Sequence, residues 1–287
     1  MFHLNLSKVA CYSVPARLSI FVLILLGLWL PFAALLYLIW GTNNTAVTIL
    51  TMLVLYSEFI WLLRQWGKQV HHQSHPLQSH GLVKTRQNWL DLMKGLGIGL
   101  LCLFCLFLVE NWLGWLSWRS PATLLPKVAL EGLAVSLGVG FAEELLFRGW
   151  LVDELRWNYP LNASFWIGSS FYAALHFVKP WSEILRTLAS FPGLLLLGLT
   201  LSWGRQVHNG RLGFSIGLHA GLVWGYYIIN VGNLIRYSSQ IPLWMTGIDN
   251  NPLAGAMGLL FLSLIAIGIQ TLPKLKRDAA RTQDGNL

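Results

Sequence analysis

Gly140-Phe141-Ala142-Glu143-Glu144-Leu145-Leu146-Phe147-Arg148-Gly149 sets two adjacent carboxylates, and a guanidinium four residues on, inside an otherwise apolar run. Charges in hydrocarbon cost several kcal/mol unless paired or wetted, so acids in such a place mark a site. On a helix, residues i and i+4 share a face, which lets Glu144 meet Arg148. Glu143 then points about 100° away. One carboxylate is neutralised and the other is left for work.

The rest of the chain supports a membrane setting. Of 287 residues, 55% are hydrophobic and only 11% charged, the balance of a polytopic membrane protein. Apolar runs give eight candidate spans, at about 18–39, 46–64, 92–116, 127–150, 161–178, 187–204, 212–232 and 252–272. The expected fold is therefore an all-α bundle of about eight transmembrane helices. Trp40, Trp66, Trp112 and Trp203 fall at span ends, as interfacial aromatics do. The net charge of +8 is spread between spans instead of forming one patch. That pattern points to membrane topology and anionic lipid and away from nucleic acid. With the N-terminus inside, Lys8, Arg17, Arg64, Lys68 and the basic tail share one side, so both termini are expected in the cytoplasm. Three regions result: 1–90, two spans and a polar loop; 91–273, a helical core; and 274–287, a polar tail expected to lack order.

Several features receive structural readings. Cys102 and Cys105 form a CxxC on an apolar helix with no second pair, and read as core. His71, His72, His75 and His80 lie in the 65–90 loop without a matching carboxylate or cysteine, and read as solvated. Glu58 reads as structural, and Glu110 and Glu131 as reaching interfacial water. Gly95, Gly97 and Gly99, and later Gly217, Gly221 and Gly225, allow close helix approach.

Only His176 and His219 lie within the expected spans. Glu143 and His176 are equally far from the break Asn158-Tyr159-Pro160, so an antiparallel hairpin brings them to one depth. Ser169, Tyr172 and His176 share a face of the fifth span. On the seventh, the glycine ridge lies opposite His219, Val223, Tyr226 and Asn230. Two imidazoles and two carboxylates around a membrane cavity suit either a glutamate-activated or a metal-bound water. Glu143 is the candidate base, Glu144 with Arg148 the pair that fixes the helix, and His176 and His219 the partners for water, oxyanion or metal. No HExxH occurs. Zinc on Glu143, His176 and His219 and a metal-free mechanism are both open. So are two non-proteolytic readings, an immunity or scaffold factor and a proton-coupled transporter.

Glu143-Glu144-x-x-x-Arg148, an aromatic four residues before His176, and His219 resemble the three motifs of the CPBP family, the CAAX proteases and bacteriocin-processing (Abi) enzymes. The motifs span about 138–231. The resemblance implies an intramembrane endopeptidase acting on membrane-associated protein or peptide substrates, with Glu143 as catalytic glutamate and His176 and His219 as its partners. It also implies that 91–273 is the catalytic core. Tyr172 stands where the family usually has Phe, and Val223 where it often has Asn. Gly217–Gly225 and Thr246–Pro252 look similar to cyanobacterial and plastid members, which widens the expected setting from a plasma or inner membrane to a thylakoid.

Overall fold

The structure is a computed structural model that describes residues 6–42, 44–121 and 124–284. Eight principal helices follow the eight apolar windows. They are α1 (Val14–Trp40), α2 (Thr45–Gln69), α3 (Arg86–Trp112), α4 (Leu125–Glu143), α5 (Leu161–Leu175), α6 (Phe191–Val207), α7 (Gly213–Val231) and α8 (Ala256–Asp284). Short helical turns join them. Among the described residues six helical segments are long and apolar enough to cross a membrane. The window at 161–178 yields only the 15-residue α5, and the apolar part of α8 is Ala256–Thr271. The tail expected to lack order continues α8 as helix to Asp284, and its last three residues lie outside the described residues.

Local chemistry starts the helices where they start. The Asn44 side chain accepts from the Ala46 amide at the head of α2, and Thr85 accepts from the Asn88 amide at the head of α3. Prolines occupy the first turns of α1, α4 and α6, where a missing N–H costs nothing.

α7 is the hub. It packs along α3 and against α4 and α6. Lipid tails are as apolar as leucine, so helices gain mainly by close packing and need small residues to achieve it. Gly217 and Gly221 bring the α7 backbone onto the Leu92 and Leu96 carbonyls, while Gly95 and Gly99 of α3 meet the Phe214 and Leu218 carbonyls in return. A Cβ at any of these four would enter the facing backbone. Gly97 faces open space and takes no part.

At one end of the bundle, β1 (Leu116–Trp118) pairs antiparallel with β2 (Ile235–Tyr237) and ties the ends of α3 and α7 together. Glu110 does not reach interfacial water there: it is fully buried, and the Tyr237 hydroxyl donates to it at 2.6 Å. Burial and this carboxylate together push the Tyr237 phenol above its ordinary range. Glu131, by contrast, is half exposed beside Lys127.

The other end corrects the reading of the histidine loop. His71 and His80 are buried partners of two adjacent acids just beyond α4. His71 Nε2 lies 2.8 Å from Glu154, which also accepts from Arg17 of α1 and from the Trp66 indole of α2. His80 Nδ1 lies 2.9 Å from Asp153, which is also gripped through both oxygens by Arg205 of α6. His72 and His75 do remain exposed. In sequence the loop looks solvated because its acidic partners lie some 80 residues further along the chain. This network also fastens the N-terminal pair of helices to the core.

Glu154 is therefore a keystone, and Glu154→Ala strands a buried guanidinium. The expected loss is about 3–5 kcal/mol, measurable as a lowered melting temperature in detergent. A surface substitution such as Glu131→Ala should leave the melt unchanged.

Candidate active site

The acidic pair lies where α4 changes its winding. After Glu143 the backbone widens into a π-helical stretch, Glu144–Leu151, before a last α turn, Val152–Leu155. π-helical turns are rare and concentrate at functional sites, because the wider winding re-aims side chains that an α-helix would stack. The Arg148 carbonyl in this stretch accepts from the Arg205 guanidinium that also holds Asp153. The π turn is thus pinned from α6.

Glu144 and Arg148 meet as expected, Nη1 donating to Oε1 at 2.9 Å with both side chains out of solvent. The guanidinium lies over the Tyr172 ring, 4.2 Å from its centroid, and Phe147 meets that ring edge-on. Tyr172 in place of Phe therefore keeps the aromatic platform that Arg148 rests on.

The unexpected bond is a second one to Glu144. His219 Nδ1 lies 2.9 Å from the same Oε1. A carboxylate accepts, so Nδ1 carries the proton and Nε2 is the nitrogen left over. That nitrogen lies 3.9 Å from Glu143 Oε2, too far for a direct hydrogen bond. Adjacent in sequence, the two glutamates differ in surroundings: the Glu144 side chain is 0% exposed and Glu143 27%. Glu143 Oε2 is nevertheless buried and has no hydrogen-bond partner among the described residues.

His176 is the residue that closes α5, not a mid-span residue, and its ring is exposed. Its Nδ1 donates to the Tyr172 carbonyl at 2.8 Å, which again leaves Nε2 free. Glu143, His176 and His219 all line one cavity of about 280 Å³, with Tyr172, Val223 and Tyr226. Glu144 and Arg148 stand behind its wall. The 248–265 segment closes the far side and brings in Asn251. The Asn251 oxygen accepts from the Leu253 amide at 3.1 Å, so its NH₂ end is not engaged by that bond. Sequence reasoning passed over Asn251, although an asparagine directly before a proline is a recognisable turn signal. Cys102 also lines the cavity, from α3.

Zinc requires nitrogen and oxygen donors within about 2.0–2.2 Å of one point. Among the described residues no three His, Cys, Asp or Glu side chains are gathered closely enough to hold a metal ion. His219 gives one ring nitrogen to Glu144 and His176 gives one to a backbone carbonyl.

Residues 125–225, from α4 into α7, match the family model of the type II CAAX prenyl endopeptidase Rce1-like proteins. The match covers 101 of the 287 residues. The matched segment carries Glu143, Glu144, Arg148, His176 and His219. No curated protein and no solved structure matches the chain. With six membrane-length helices among its described residues, the chain is an integral membrane protein, and its 125–225 segment is similar to the Rce1-like endopeptidases.

Arg148→Met removes the main counter-charge of Glu144 from a dry site. The expected cost is about 3–5 kcal/mol, seen as a lower melting temperature. Adding Glu144→Gln should recover part of that loss, since the second change removes the stranded charge.

Proposed function

We propose that the protein is an intramembrane endopeptidase that hydrolyses membrane-associated protein or peptide substrates with water activated by Glu143. The observation that supports this most is the convergence of Glu143, His176 and His219 on one cavity, with Glu143 the carboxylate of the pair that makes no side-chain hydrogen bond among the described residues. The family match at 125–225 supports the same reaction class.

The chemistry follows from the donors and acceptors present. Glu143 takes a proton from water while the water oxygen attacks the scissile carbonyl carbon. The Nε2 atoms of His176 and His219, each left with a lone pair by its Nδ1–H bond, orient that water. Glu144 holds the His219 ring in this tautomer, as a carboxylate does behind a catalytic histidine. The carbonyl oxygen then gains charge and needs a donor. Val223 offers none, whereas Asn251 lies in the same cavity wall. Asn251 is the proposed donor to the oxyanion. Collapse of the tetrahedral intermediate breaks the C–N bond, and the proton held on Glu143 passes to the leaving amine. No step is routed through a metal. Both termini facing the cytoplasm is part of the same proposal, supported by the Lys and Arg placement between spans.

The replacement of the family's frequent Asn by Val223 favours a second reading, a non-catalytic scaffold that keeps the polar cluster for folding. Purified protein in liposomes, supplied with quenched-fluorescence C-terminal peptides with and without a prenyl chain, separates the two. Glu143→Gln should lower cleavage by about 10²–10⁴-fold with an unchanged melt, and a chelator should have no effect. Asn251→Ala should lower kcat by about 10²–10³-fold with little change in KM. No cleavage by the wild-type protein, or cleavage unaffected by Glu143→Gln, contradicts the peptidase reading.

A further inference from the structure

A larger cavity, about 720 Å³, lies outside the candidate active site, between the end of α2, the 74–84 loop and the start of α3. Its lining has two unlike halves. Arg64 and Lys68, one turn apart on α2, and Lys84 from the loop supply three cations. No aspartate or glutamate is among the lining residues. All three are exposed residues, and none of them forms an ion pair among the described residues. Like charges four residues apart on a helix repel weakly, and an anion between them relieves that repulsion.

The other half is apolar. Trp89 and Met93 of α3 are 64% and 51% exposed, and with Phe141 of α4 they carry the cavity outward along the lipid-facing side of the bundle. Arg64 lies near the end of α2 and Trp89 near the start of α3, so cations and tryptophan sit at one level of the bundle. This is where lipid headgroups meet membrane helices, and basic pockets between helices bind anionic headgroups there.

We infer that this cavity is a binding site for one anionic phospholipid, its phosphate held by Arg64, Lys68 and Lys84 and its acyl chains laid over Trp89, Met93 and Phe141. Charge complementarity selects the headgroup, and the apolar half requires the chains. A phospholipid seated there touches α4 two residues before Glu143 and reaches Ile216 of α7 three residues before His219. It therefore bridges the two helices of the candidate active site. The inference stands independently of any peptidase activity.

The test uses the full-length protein in neutral detergent, with bound lipid counted by native mass spectrometry and stability followed by thermal melting. Phosphatidylglycerol should be retained at one molecule per chain and raise the melting temperature, while phosphatidylcholine and soluble glycerol phosphate should do neither. Arg64→Gln/Lys68→Gln/Lys84→Gln should weaken phosphatidylglycerol binding roughly a hundredfold, at about tenfold or less per cation. Lys84→Gln alone, on an exposed loop, gives a milder loss should the triple variant fold poorly. Lys127→Gln, an exposed cation elsewhere, should retain the lipid. Equal retention of phosphatidylcholine, protection by glycerol phosphate alone, or full retention by both Lys84→Gln and the triple variant would each overturn the site.

Discussion

A single buried carboxylate oxygen, Oε1 of Glu144, receives both the Arg148 guanidinium and the His219 ring. A carboxylate so far from water is tolerable only when it is paired and hydrogen-bonded, and these two donors come from its own helix and from α7. The shared bond fixes the distance and rotation of α7 relative to α4 at the level of the cavity. It also decides which ring nitrogen of His219 is free. The unequal environments of Glu143 and Glu144 follow from it, and so does the proposed division of labour between them.

Two further constraints hold that bond in place. Close glycine packing of α7 on α3 leaves no slack on the far side of His219. From the other direction, Arg205 ties the Arg148 carbonyl of the π turn to Asp153, and Asp153 and Glu154 gather residues from α1, α2, α6 and the histidine loop. These polar groups thus form two connected layers. One supports the cavity, and the other clamps the helix that carries its carboxylates.

Much of this could be read from the chain before any coordinates. Long apolar runs announced the helices because nothing else buries such stretches, and the i, i+4 spacing announced the Glu144–Arg148 pair. The glycine ridge was legible from spacing alone. What spacing could not show is which of two adjacent acids turns toward α7, because that depends on the π winding after Glu143. The histidine loop and Glu110 were misjudged for a related reason. Their partners, Asp153, Glu154 and Tyr237, are remote in sequence, and a polar residue looks solvated until its distant partner is known. Asn251 was hidden differently, in a connecting segment that only the tertiary fold carries back over the cavity.

His219 donates a hydrogen bond from Nδ1–H to Glu144 and turns Nε2 toward Glu143. Nitrogen-15 NMR of ring-labelled histidine in the full-length protein, with His219 assigned by difference against His219→Asn, reads the protonation of each ring nitrogen directly. A protonated Nδ1 is the result this account requires. An unprotonated Nδ1 with the proton on Nε2 alone would separate His219 from Glu144 and contradict it.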